Sequence, residues 1–315
     1  MRDDQTIWMG ASHGLLAGAN RRNGDMFLLN PFSGRIIDLP PYRGKPFLPK
    51  EESPFPMKLI LSHSPSPSHI EEDCCALMIL SSMDRVAVCR PTRSTEWAPV
   101  GGWYKPQFGR EKTLYKEVAY WAARKSFVCV VKHQVERLVF WCHPGMEPVK
   151  TMLTPSNQGK YCSTYLVPEE ESGKLFMVKR YVNDSNLLDY DVYRIDVDGN
   201  GGGVAKLCST LHGLVMFVGI NHSFAVKASN FPELKPNHIY FSGAWSSYNQ
   251  STDITNTHTP ISHEVDAWSS NPSFQSTTDI FDYITNTHTP VFDSSPDEKP
   301  GFRSFSPWVV PTCCV

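Results

Sequence analysis

The chain has 315 residues, a formal net charge of −2, 41% hydrophobic residues and 20% charged residues. That is a globular composition, long enough for one large all-β domain or two ordinary ones. No long basic run supplies the electrostatic footprint of a nucleic-acid binder or draws the chain to an anionic membrane, and no run of about 18 apolar residues is present to span a bilayer.

The opening residues, MRDDQTIWMG, hold no apolar stretch of signal-peptide length, which predicts a cytoplasmic or nuclear protein. Gly10-Ala11-Ser12-His13-Gly14 then matches G-x-S-x-G, the nucleophile elbow of α/β-hydrolases. That chemistry needs a strand-turn-helix context over a parallel sheet. Leu15-Leu16-Ala17-Gly18 reads as a strand and no βαβ unit precedes it, so Ser12 is expected to be structural.

Met26-Phe27-Leu28-Leu29 is followed by Asn30-Pro31-Phe32-Ser33-Gly34 and then by an apolar run over residues 35–39. Pro fixes φ and Gly supplies positive φ, so this reads as a hairpin. The same grammar returns down the chain. Residues 76–80 pair with 85–89, and 126–131 with 137–142. Residues 164–167 lead to 175–182 and 190–197, and 214–218 precede 223–226 and 238–241. Short strands joined by turns predict antiparallel meanders rather than βαβ units. A propeller blade takes roughly 40–50 residues. The expected fold is therefore all-β, a β-propeller of about six blades (seven possible) in a single domain over residues 1–312. A pair of β-sandwiches is the alternative.

Several motifs invite chemistry. Asp196-Val197-Asp198-Gly199-Asn200-Gly201 matches the first half of a calcium loop, but the twelfth position is Leu207 where a bidentate carboxylate is needed, so a hairpin turn is expected. His258, His263 and His288 lie near Glu264 and Asp266 in a segment without helical pattern, which places no common ligand face. The segment Ile254-Thr255-Asn256-Thr257-His258-Thr259-Pro260 recurs identically at Ile284-Thr285-Asn286-Thr287-His288-Thr289-Pro290. The polar stretch around the first copy predicts a disordered or loop insertion at about 246–278. Residues 63–69, HSPSPSH, read as another loop. Nine cysteines without C-x-x-C predict reduced thiols, several buried, and most of the eight tryptophans are expected in the core. No catalytic, cofactor-binding or metal-binding residues are assigned.

The order of segments resembles the plant F-box-associated propeller family, catalogued as domain of unknown function 295. The resemblance rests on Ser12-His13-Gly14-Leu15-Leu16 and Met26-Phe27-Leu28-Leu29-Asn30-Pro31-Phe32-Ser33, then Leu175-Phe176-Met177-Val178-Lys179-Arg180 and Phe217-Val218-Gly219-Ile220-Asn221-His222-Ser223-Phe224. It continues in Ala228-Ser229-Asn230-Phe231-Pro232-Glu233-Leu234 and its sequel to Phe241, in Asp279-Ile280-Phe281-Asp282-Tyr283, and in Ser306-Pro307-Trp308. It implies a β-propeller and a non-enzymatic protein-interaction role, that of the substrate-recognition part of a cullin ubiquitin ligase, with no cofactor and an unknown protein target. The chain begins almost at the propeller with no room for an F-box, so docking on a Skp1-type adaptor is not expected. The rival readings are a hydrolase or lyase with its site at the central channel, and a truncated copy without function. A cluster of inward-facing His, Asp, Glu or Arg at one channel mouth would favour the enzyme.

Overall fold

The computed structural model describes residues 6–20, 22–42, 56–65, 74–80, 86–100, 114–132, 136–141, 150–155, 160–183, 188–197, 203–219, 222–246 and 274–290. Each predicted hairpin forms. Asn30 organises the first of them, its side-chain oxygen accepting from the backbone N–H of Phe32 at 2.9 Å and of Ser33 at 3.0 Å. Gly34 follows at φ 71°, a conformation that favours glycine.

Among the described residues four of the five strand groups are four-stranded antiparallel units, and the last is five-stranded and mixed. The first is β1 (Thr6–Ser12), β2 (Leu15–Asn20), β3 (Met26–Leu29) and β4 (Ile36–Leu39). The second is β5 (Pro56–Leu61), β6 (Ala76–Leu80), β7 (Val86–Cys89) and β8 (Ala98–Pro99). The third is β9 (Leu114–Trp121), β10 (Ser126–Lys132), β11 (Glu136–Trp141) and β12 (Lys150–Leu153). The fourth is β13 (Lys160–Glu169), β14 (Lys174–Val182), β15 (Leu188–Val197) and β16 (Gly203–Leu207). A fifth unit, β17 (Leu214–Gly219), β18 (Phe224–Lys227), β19 (His238–Ser246), β20 (Phe274–Asp282) and β21 (Thr287–Pro290), is hydrogen-bonded in the order β18-β17-β19-β20-β21. It joins the fourth through one parallel bridge, Glu169 with Ala225. First strands of successive units lie side by side, β1 on β5, β5 on β9 and β9 on β13. The fold is a β-propeller.

What forces this arrangement is burial on both faces of each sheet. Every residue of β6 is buried, as is the run from Leu175 to Arg180 in β14. Along β6 the side chains alternate between two cores. Ala76, Met78 and Leu80 pack toward the first unit with Met9, Met26 and Leu28, whereas Leu77 and Ile79 pack toward the third with Val118, Phe127 and Cys129. The third and fourth units meet through Val128, Val130, Leu166 and Met177, and the fourth and fifth through Phe176, Val178, Met216 and Phe241. Each core is thus an interface between blades, and no sheet is stable by itself. Cys75, Cys89 and Cys129 are buried in these interfaces as small hydrophobes.

Two tryptophans pin neighbouring blades. Trp97 is 1% exposed and donates its Nε1–H to the Pro40 carbonyl at 2.8 Å. Trp121 donates to the Gly173 carbonyl at 2.8 Å. The expectation that tryptophans are core residues holds for these two, while Trp8 is 40% exposed.

One boundary is corrected. Strands reach into the segment expected as a loop over about 246–278: Ser246 closes β19 and residues 274–278 belong to β20, paired from Ser246 with Phe274 to His238 with Asp282, and the residues between lie outside the described ones. The Ser/Thr-rich sequence hid the strand, since it is the backbone ladder with β19 that fixes it and not an apolar pattern. The second ITNTHTP copy forms the β20–β21 turn and β21 itself. The first copy lies outside the described residues, as do His258, His263, Glu264, Asp266 and most of residues 63–69.

Replacing Trp97 by Phe keeps the ring in the interface but strands the Pro40 carbonyl. The expected outcome is a loss of about 1–3 kcal/mol, read as a lower urea midpoint with an unchanged slope.

Candidate functional site

The first strands end together, and two adjoining cavities open there. An axial pocket of about 270 Å³ is walled by the β1–β2 turn, the β13–β14 turn and the segment from His222 to Phe231. Beside it a groove of about 870 Å³ runs between the fourth and fifth units. Glu169 and Lys227 line both and form the divide.

Local sequence chemistry sets each wall. His13 (φ 49°) and Gly14 (φ 75°) form a two-residue hairpin loop with both φ positive, the type I′ arrangement that matches strand twist. This turn carries the G-x-S-x-G match. Ser12 is 4% exposed, and its Oγ accepts from the backbone N–H of Leu61 at 3.1 Å, tying β1 to β5. The β13–β14 turn is closed by Glu169, whose carboxylate accepts from the Ser172 N–H at 3.0 and 3.1 Å and from its hydroxyl. Asn237, at φ 60°, holds the far wall of the groove by accepting from Thr210 Oγ1 at 2.9 Å and the Gly213 N–H at 3.2 Å.

The axial pocket gathers His13, His222 and the three consecutive carboxylates Glu169, Glu170 and Glu171. His13 Nδ1 lies 4.0 Å from Glu170 Oε1, and its ring is 6.0 Å from that of His222. His222 stacks on Phe224 with ring planes 19° apart. Burial is the main force on both imidazoles and holds both below the ordinary histidine value. For His13 it is opposed by Glu170 and the Leu61 backbone and reinforced by His63. For His222 it is reinforced by His13 and Lys58, which takes the pKa down to about 3. Both rings are therefore neutral acceptors at pH 7. Nearer the middle of the inner strands, Lys58 and Glu117 form a buried ion pair. Burial outweighs the attraction of Lys58 and raises Glu117 to about 7.

The groove is basic at its rim. Lys174, Arg194, Lys206 and Lys227 line it. Arg194 binds Asp196 through two contacts of 2.9 Å, and Lys206 shares the same carboxylate at 3.1 Å. Lys227 meets Glu171 at 2.6 Å. Phe176, Leu214, Pro232 and Leu234 supply apolar wall, and Leu207 is 61% exposed.

Of the motifs singled out in the sequence, Ser12 lines the axial pocket with its hydroxyl engaged in the β1–β5 contact. Asp196 is engaged by cations at the end of a hairpin, with β15 paired to β16 from Val197 with Gly203 onward, and His288 lies against Asp279 in the fifth unit. Among the described residues no group of three His, Cys, Asp or Glu is placed to hold a metal ion, and no helix is long and apolar enough to cross a membrane. The site residues themselves went unassigned from sequence. The signal was present in part, since His13 and His222 fall inside the segments that carry the family resemblance.

Two outcomes test this geometry. A fluorophosphonate probe should leave Ser12 unlabelled, with wild type and Ser12→Ala giving the same signal. A label lost in the variant would make Ser12 a nucleophile. His222 gives a pH prediction. Its folded-state pKa is about 3 against 6.5 unfolded, so below 6.5 the unfolded chain takes a proton that the folded chain does not, and stability falls with acid. Between pH 7 and pH 5 the stability of His222→Phe relative to wild type should rise by about 2 kcal/mol, measured by urea unfolding at both pH values.

No curated protein matches the chain. A solved complex of the fission yeast SREBP and SCAP binding domains is 11% identical over 63% of this chain, with a TM-score of 0.32, and the match spans about half (51%) of that structure's chain. The PQQ-bound aldose sugar dehydrogenase of Streptomyces coelicolor is 12% identical over 63% of this chain and 80% of its own, with a TM-score of 0.24. The KIB1-4 beta-propeller family model matches residues 3–270, most of the chain, and the chain belongs to that family.

Proposed function

We propose that this chain is a non-enzymatic protein-interaction propeller of the plant F-box-associated type, and that it binds its partner across the groove between the fourth and fifth units. The observation that carries the reading is the make-up of that groove. Apolar wall from Phe176, Leu214 and Leu234 is rimmed by exposed charged pairs and flanked by the protruding Leu207. An apolar centre with a polar rim is the anatomy of a protein interface. The ordered family segments support the finer assignment, in which a propeller of this kind selects the protein that a cullin ligase modifies, in the cytoplasm or nucleus. The partner is a protein, with neither nucleic acid nor membrane as the target.

One observation favours the enzyme reading: the axial mouth does gather two histidines and three glutamates. Their spacing argues against catalysis. The His13–Glu170 separation of 4.0 Å exceeds a hydrogen bond, the two rings are 6.0 Å apart, and the nearby Ser12 hydroxyl is committed to Leu61.

The test is site-specific photocrosslinking in plant cells, with benzoylphenylalanine at Leu207 and, as control, at Leu153, which is 62% exposed on the third unit. The expected result is one discrete adduct from position 207 that is absent from position 153 and lost when Lys206 and Arg194 are changed to Glu. Identical adducts from both positions, or adducts indifferent to the charge reversals, would overturn the proposal.

A further inference from the structure

We infer that the axial pocket is a receptor for one cationic side chain, an arginine or lysine presented by the partner. The inference rests on the protein-binding reading above and names what the partner must carry. The pocket is lined by Glu169, Glu170 and Glu171 against the single cation Lys227, and its two histidines are neutral at pH 7. The carboxylates differ in what they are already doing. Glu169 is spent on Ser172, and Glu171 on Lys227. Glu170 is 65% exposed, and among the described residues its ionic neighbour is the distant His13, so its charge is available at the mouth.

A second observation is independent of the carboxylates. His222 lines the inner wall, and its Nδ1 is closed to water and has no hydrogen-bond partner among the described residues. A buried nitrogen in that state wants a partner. His222 lines the pocket, so a side chain entering there brings a donor to that ring. A neutral imidazole nitrogen accepts from a guanidinium or ammonium N–H and repels neither. Phe224 and Phe231 add aromatic surface, on which a cation is favourably placed.

The shape agrees with the charge. About 270 Å³ holds one long side chain with little room besides. The adjoining groove carries the opposite charge at its rim, so a partner segment crossing the divide at Glu169 and Lys227 would meet an acidic pocket and then a basic groove. That order gives the segment a direction as well as a place.

The experiment is NMR titration of the full chain, labelled at histidine Cε1, with three capped amino acids: N-acetyl-arginine methylamide, the lysine analogue, and the norleucine analogue, which keeps the stem and lacks the charge. The expected result is a saturable shift of the His13 and His222 signals with the arginine or lysine compound and none with norleucine. Glu170→Gln, at an exposed position that keeps the fold, should weaken that binding by about fivefold, the scale of one accessible ion pair, while Arg22→Gln, at an exposed turn of the first unit, leaves it unchanged. Equal shifts with norleucine, no shift with either cation, or binding indifferent to Glu170→Gln would each overturn the inference. Failure here with the Leu207 adduct intact would leave the protein-binding reading standing. Cation binding without a groove-dependent adduct would sink that reading instead.

Discussion

The structure depends on sheets that bury both faces. A sheet with one solvated face shows alternating apolar and polar residues. Here β6 and the core of β14 are apolar on both sides, and neighbouring residues of one strand belong to different interfaces. Neither face can be left to water, since burying each large apolar side chain is worth about 1.5–3 kcal/mol. Every blade therefore requires two neighbours, and radial stacking supplies them.

That constraint decides where polar groups can sit. Within the stacked blades a charged side chain is held by a partner of opposite sign, as Lys58 is by Glu117. The other place is the end of the strands, where turns leave the interfaces and the backbone approaches water. His13, the Glu169–Glu171 run and His222 all stand at such ends. The candidate site is thus the part of the propeller that stacking leaves free to be polar, and its residues come from the first, fourth and fifth units because the inner strands converge there.

The same division explains what the sequence disclosed. Strands whose apolar runs are bounded by Gly, Pro, Asn or Asp were legible, as in β3–β4 with its Asn30 turn and β6–β7, because hairpin signals are local. The strand that follows the Ser12 motif was also legible, and Ser12 accepts from the Leu61 N–H between β1 and β5. Strand β20 was not fully legible, since its Ser/Thr-rich first half has no apolar signature and is fixed by pairing with β19. The site was illegible for a different reason. His13, Glu170 and His222 are more than 200 residues apart end to end, and only the convergence of inner strands makes them neighbours.

The interior titratable groups then act against each other. Glu117, raised to about 7 from 4.5, keeps a proton in the folded state that the unfolded chain has released, so its contribution to stability is largest in acid and is lost as pH rises toward 7. His222, lowered to about 3 from 6.5, refuses a proton that the unfolded chain takes, so its contribution is lost as pH falls below 6.5. Between 4.5 and 6.5 the two slopes have opposite sign. Folding there moves a proton from a histidine to a glutamate rather than changing the number bound. A propeller built this way presents a neutral His222 at the axial pocket across the pH range of a cell, without a steep dependence of its own stability on pH from these two groups. The charge at the mouth is then set by the three carboxylates against Lys227, a net negative balance that is the condition for the pocket to read a cation.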